Sequence, residues 1–115
     1  MNITSVEITG KTLTIEEVVA VAQNRAIVKP LCQETRKRME ASHQWLHDAI
    51  HKKNKVFYGI NTGFGSHAND VIASDQASQL SRNVILADVT GIGDPLPQEI
   101  VRAMMFIRAN TISSG

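Results

Sequence analysis

The sequence predicts a mainly α-helical fold, a short N-terminal β-hairpin followed by about four helices. Three observations carry that expectation. Apolar residues recur at spacings of three and four over long stretches. Helix-start residues stand ahead of those stretches, at Thr14, Pro30, Ser74 and Pro97. Aromatics are only 4% of a chain that is 43% hydrophobic, and a core of Ala, Val, Ile, Leu and Met suits helices packed through aliphatic ridges.

The ribbon is expected over residues 5–13. Val6 and Ile8 alternate with Ser5, Glu7 and Thr9, and Gly10 offers a turn before Lys11-Thr12-Leu13. Such a hairpin is marginal by itself and must lie on something else. Thr14-Ile15-Glu16-Glu17 fits a capping box, so a helix is expected over about 15–26. Pro30 suits a first helical position, where its missing N–H costs nothing. Leu31, Thr35, Met39, Ser42, Leu46 and Ile50 then trace one face of a helix over about 30–52. Ser74 is a plausible N-cap for a helix over 75–88, with Ala77, Leu80, Val84 and Ala87 on one stripe. Gly91-Ile92-Gly93-Asp94-Pro95 breaks it, and Pro97 opens a helix over 97–112. In that last helix Ile100, Val101, Met104, Met105 and Ile107 cover more than one face, so burial by further chain or another subunit is expected.

Length and charge narrow the function classes. A chain of 115 residues is one domain or part of one, and Ser113-Ser114-Gly115 supplies no natural stop. Charged residues are 20% and the net charge is +1, so no global field recruits nucleic acid or an anionic membrane. No apolar run approaches the roughly 20 residues needed to span a bilayer. The first residues lack a basic stretch followed by an apolar one, so a signal peptide is not expected and the chain reads as cytoplasmic. Cys32 is the single cysteine, which excludes an intrachain disulfide.

Chemistry concentrates in residues 55–70, Lys-Val-Phe-Tyr-Gly-Ile-Asn-Thr-Gly-Phe-Gly-Ser-His-Ala-Asn-Asp. Gly59, Gly63 and Gly65 fall close together and interleave with Tyr58, Asn61, Thr62 and Phe64. That mixture fits a solvent loop with its two aromatics tucked into the core, or a mobile binding or lid loop. The order G-x-x-x-G-x-G matches neither the dinucleotide fingerprint nor a P-loop.

Tyr58-Gly59-Ile60-Asn61-Thr62-Gly63-Phe64-Gly65 resembles the YGxxTGFG segment of the histidine, phenylalanine and tyrosine ammonia-lyases and the related aminomutases. Six of these eight positions are fixed in the motif, and the likeness extends outward. Thr9-Gly10-Lys11-Thr12-Leu13-Thr14 is similar to the family's opening "TGxxLT", and Leu80-Ser81-Arg82-Asn83-Val84-Ile85 to its "LQxNLI" helix. Gly91-Ile92-Gly93-Asp94-Pro95-Leu96-Pro97, with Arg102-Ala103-Met104 and Arg108-Ala109-Asn110, resembles "GVGxPLPxxxVRAMMxxRAN". Order and spacing agree over nearly the whole chain, which corresponds to roughly the first quarter of a family member.

The resemblance implies the N-terminal part of a larger helical lyase that eliminates ammonia from an aromatic-type amino acid, or of an aminomutase. It implies a homotetramer and a methylideneimidazolone electrophile formed from an internal Ala-Ser-Gly. No Ala-Ser-Gly occurs in these residues, so the electrophile is expected outside them and the chain alone is expected to be inactive. A truncated, non-catalytic helical binding module is the competing class. Tyr58 matches the family's base for the β-proton. A free phenol is a weak base at neutral pH, so such a base needs positive charge or hydrogen-bond donors nearby. Gly59, Asn61, Thr62, Gly63, Phe64 and Gly65 then match a lid that closes over substrate and excludes water. Ala87-Asp88 occupies the place of the family's substrate-selecting pair. A carboxylate there suits a cationic or hydrogen-bond-donating substrate side chain, while a solvated position near a helix end is the plainer reading.

Two other groupings carry less. His43, His47 and His51 share a helix face, yet Lys52 and Lys53 follow and no Cys or paired carboxylate completes a tetrahedral set, so no metal is expected. Over residues 29–55, Lys29, Arg36, Lys37, Arg38, Lys52, Lys53 and Lys55 face Glu34, Glu40 and Asp48, leaving +4. Only Trp45 could stack there, which favours an exposed helix over a nucleic-acid surface.

Overall fold

The computed structural model describes residues 2–115. Its elements in chain order are β1 (Ser5–Val6), α1 (Ile15–Ala22), β2 (Ile27–Val28), α2 (Gln33–His51), α3 (Ala77–Asp88) and α4 (Gln98–Ile112). Short 3₁₀ turns cover Gly65–His67 and Ser74–Gln76. Two compact units divide the chain: Met1–His43 with Asp94–Gly115, and Gln44–Gly93.

The first unit is built on α1 and α4. The capping box at Thr14 forms as its sequence requires: the Thr14 hydroxyl accepts from Glu17 N–H and the Glu17 carboxylate accepts from Thr14 N–H. The helix then stops four residues earlier than its apolar pattern suggests. Asn24 takes a left-handed φ of +58°, and Arg25 and Ala26 N–H both donate back to the Ala20 carbonyl. Asn tolerates that conformation with its short polar side chain, so it serves as the stop in place of glycine. Val6, Ala20, Val21, Ala26 and Phe106 form the buried cluster, flanked by Ile3, Ile8, Leu13 and Val18.

The expected 5–13 hairpin is replaced by a different pairing. β1 runs parallel to β2, with Ser5 opposite Ile27 and Val6 opposite Val28. Parallel neighbours need a crossover, and α1 supplies it. The hairpin's second arm cannot form its ladder because its backbone is engaged by α4. Asn110 Oδ1 accepts from Thr9 and Gly10 N–H, and Asn110 Nδ2 donates to the Lys11 carbonyl. Gly10 does turn the chain, with φ +72°, but against the last residues rather than into a second strand.

α2 begins at Gln33 rather than Pro30, because Lys29 N–H still donates to the Val6 carbonyl and the chain stays extended through the proline. On the predicted face Thr35 and Ile50 are buried and Leu31, Met39 and Leu46 half-buried, whereas Ser42 is exposed. The Arg38 guanidinium donates to the carbonyls of Thr9, Ser113 and Ser114, covering acceptors that the end of α4 leaves free. Pro97 caps α4 through its carbonyl, which accepts from Ile100 and Val101 N–H. On α4, Phe106 and Asn110 point into the unit, while Ile100, Val101, Met104, Met105 and Ile107 all stay exposed.

The second unit holds the end of α2, the glycine-rich segment and α3. Asn54, at φ +48°, ends α2 as Asn24 ends α1, and Lys55 N–H returns to the Ala49 carbonyl. Ser74 is not an N-cap: it lies within a 3₁₀ turn that leads into α3, and no side chain caps either element. Ala77, Leu80 and Val84 are half-buried along the predicted stripe, but Ala87 at its end is exposed.

Candidate functional site

Residues 55–72 are tied by their own hydrogen bonds, where the density of glycine suggested an open loop. Ile60 N–H donates to the Phe57 carbonyl at 3.1 Å, closing a turn with Tyr58 and Gly59 at its two central positions. Gly59 has φ +73°, the conformation a type II turn demands at its third residue. A Cβ on Gly59 would also stand 3.0 Å from Phe64 Cε1. Gly63 is needed for approach rather than for φ, since a Cβ there would lie 2.5 Å from the His67 carbonyl oxygen. Two of the three glycines therefore permit close contacts within the segment.

Asn61 and Thr62 are the buried polar residues of this turn. Asn61 Oδ1 accepts from Phe57 N–H at 2.8 Å, and its Nδ2 donates to the Lys55 carbonyl at 3.0 Å. The Thr62 hydroxyl accepts from Gly59 N–H at 3.0 Å and donates to the Gly63 carbonyl at 2.9 Å. The strand-like pairing of Thr62 with Val71 and the bonds Gly63 N–H to Asp70 and Ile72 N–H to Asn61 close the segment's far side. Trp45 on α2 meets Phe57 with ring centroids 5.8 Å apart.

Tyr58 stands out from this frame, 65% exposed. Its ring meets Phe64 edge-on, with centroids 5.9 Å apart at 71°. Its hydroxyl oxygen is reached by Gly65 N–H at 3.4 Å, a long hydrogen bond from a residue held at φ +56°. The segment thus brings together Tyr58, Gly59, Asn61, Thr62, Gly63, Phe64 and Gly65. Ala87 and Asp88 are exposed at the C-terminal end of α3 and take no part in these bonds.

The histidine row and the cysteine lie on α2 and at its start. His47 and His51 rings stack with centroids 4.3 Å apart, and Asp48 accepts from Lys52 Nζ and Gln44 Nε2, each at 2.9 Å. The Lys52 bond holds the Asp48 carboxyl below the usual carboxylate range. Cys32 Sγ lies 3.3 Å from the Thr35 hydroxyl, which holds the exposed thiol below its ordinary value. Sequence reasoning passed over the side chains of Asn61, Thr62 and Asn110 as structural parts. The available signal was their polarity inside apolar or glycine-rich runs, which demands buried partners.

The model of the family described as aromatic amino acid lyase matches residues 13–115. The chain belongs to that family. Among curated relatives, the histidine ammonia-lyase of Treponema denticola is 45% identical over the whole chain, which spans 22% of that protein. Histidine ammonia-lyase 2 of Fusobacterium nucleatum is 44% identical over 96% of the chain and 21% of its own length. Among solved structures, the tyrosine aminomutase of Streptomyces globisporus superposes with a TM-score of 0.86 at 28% identity, over 97% of this chain and 21% of that one. An ergothioneine-degrading enzyme of Treponema denticola, ergothionase, gives 0.85 at 30% identity, over 96% and 22%. The aromatic lyase chain described here therefore spans about a fifth of the relatives it matches. No helix among the described residues is long and apolar enough to cross a membrane.

Proposed function

We propose that these residues are the N-terminal part of an enzyme that eliminates ammonia from an aromatic-type L-amino acid, with Tyr58 removing the β-proton. Histidine is the first substrate to try, because the relatives named above as 44–45% identical carry the name histidine ammonia-lyase. The observation that carries the reading is the Gly65 N–H directed at the Tyr58 hydroxyl within the turn that presents this ring to solvent. The methylideneimidazolone of the family would supply the electrophile that holds the substrate. Its precursor triad is absent from residues 1–115, so these residues contribute the base and its setting but not the electrophile. Within that division, Tyr58 accepts the proton at its hydroxyl oxygen, Phe64 limits the ring's swing, and the closed turn keeps both in place.

Ala87 and Asp88 are assigned to substrate selection, with Asp88 facing a donor or a positive charge on the substrate side chain. The exposed apolar side chains of α4 support a homo-oligomer. An aminomutase of the same family is the second reading, favoured by the superposition on tyrosine aminomutase.

The test is turnover by the protein to which these residues belong, with L-histidine, L-tyrosine and L-phenylalanine. Ammonia and an unsaturated acid in equal amounts mark a lyase, whereas an isomeric β-amino acid without net ammonia marks a mutase. Tyr58→Phe is expected to lower kcat by at least about 100-fold, the lower end of what general base catalysis contributes. Undiminished turnover by Tyr58→Phe ends the assignment of the base.

A further inference from the structure

We infer that Thr62 is a positioning residue for the Tyr58 base, acting through the peptide plane between Tyr58 and Gly59. The inference rests on the reading of Tyr58 as the base. Types I and II turns differ chiefly in the orientation of the peptide plane joining their two central residues. In this turn those residues are Tyr58 and Gly59, and that plane's N–H is the one the Thr62 hydroxyl accepts, at 3.0 Å. The hydroxyl's own proton goes to the Gly63 carbonyl at 2.9 Å, so its lone pair stays directed at Gly59. Thr62 is 2% exposed.

Consequences for Tyr58 follow from covalent geometry. Holding the 58–59 plane sets the backbone torsion from which the Tyr58 side chain departs. The same plane sets where Gly59 stands against the Phe64 ring, which in turn borders the Tyr58 ring. Without the hydroxyl, the part-buried Gly59 N–H loses this partner and the plane is free to rotate. The ring would then lose its fixed relation to Gly65 N–H and to any substrate. A displacement near 1 Å at a reacting group can cost about 100-fold in rate.

Thr62→Val keeps the shape and removes the hydroxyl, and Thr62→Ser keeps the hydroxyl and removes the methyl group. Both are made in the full-length protein and assayed with the substrate that the wild type turns over, unlabelled and deuterated at the β-carbon. Thr62→Val is expected to lower kcat at least tenfold with KM changed by less than about threefold, and to raise the deuterium isotope effect on kcat. Thr62→Ser is expected to stay within about threefold of wild type. The isotope effect separates positioning from partial unfolding, because a smaller folded fraction lowers the rate but leaves the ratio unchanged. An unchanged isotope effect in Thr62→Val, or equal damage in Thr62→Ser, overturns the role of the hydroxyl. A Tyr58→Phe variant that retains turnover defeats the underlying reading instead, so the two failures are distinct.

Discussion

The side-chain amide of Asn110 clasps the backbone at Gly10, with Oδ1 accepting from Gly10 N–H at 3.0 Å and from Thr9 N–H at 3.2 Å. Its Nδ2 donates to the Lys11 carbonyl at 2.6 Å, so both ends of one amide are used on three consecutive residues. Asn110 is buried. Asn110→Ala should destabilise the chain by about 2 kcal/mol, the usual cost of leaving buried donors unpaired. Asn110→Asp should also be harmful at neutral pH, because a carboxylate has no N–H for Lys11. Urea unfolding followed by circular dichroism compares them, and wild-type stability in either variant would show that the clasp is dispensable.

Gly10 and Gly91 give opposite expectations for the same substitution. At Gly10 a Cβ would stand 2.5 Å from backbone atoms of Ser113 and Ser114, with φ at +72°. Neither backbone can yield cheaply, so Gly10→Ala should cost well over the roughly 1–2 kcal/mol of left-handed strain alone. Gly91 has open space around its Cβ position and no left-handed φ. Gly91→Ala should leave stability within about 0.5 kcal/mol of wild type, as surface substitutions usually do. Thermal melts of both variants check the contrast.

Asp48 predicts a pH dependence with a defined sign. Its folded-state carboxyl is held low, first by the Lys52 bond, so its contribution is present above the unfolded carboxylate value and disappears as pH falls through the folded one. Asp48→Asn should therefore be slightly less stable than wild type at neutral pH, with the difference vanishing in acid. The pair is exposed, and raised salt should shrink the difference as well. Urea midpoints against pH for the two proteins test this. A gap that widens in acid would contradict it.

The helical elements were legible because periodicity reports which side of a helix is buried, and Thr14 and Glu17 formed their expected box. The strand pairing was not. A two-residue strand carries no register signal, and the choice between Leu13 and Ile27 as neighbour was made by Asn110, about a hundred residues away. The end of α1 was misplaced because asparagine at positive φ stops it, and asparagine is a weaker signal in sequence than glycine. In the candidate site the residue types were readable, yet their geometry was not. Glycine number suggests slack, whereas the distances around Gly59 and Gly63 show closeness.

Asp88 carries the prediction about substrate choice. A charge facing an apolar ring without a partner is costly, and a substrate with a donor or a positive charge supplies that partner. Asp88→Leu in the full-length protein should shift the kcat/KM ratio toward phenylalanine by at least about tenfold, equivalent to about 1.4 kcal/mol. Competition assays with paired substrates measure the ratio directly. An unaltered ranking would return Asp88 to the role of a solvated residue at the end of α3.

The pairing of α1 with α4 has a consequence for synthesis on the ribosome. The first unit is discontinuous: Ala20 and Val21 meet Phe106 only after the residues of Gln44–Gly93 have been made. At about 5–20 residues per second, the inner side of α1 waits roughly 4–17 seconds for its cover. During that interval the nascent chain offers Val6, Val18, Ala20 and Val21 as an unshielded apolar stripe. The intervening unit, contiguous in sequence, is complete before α4 is made.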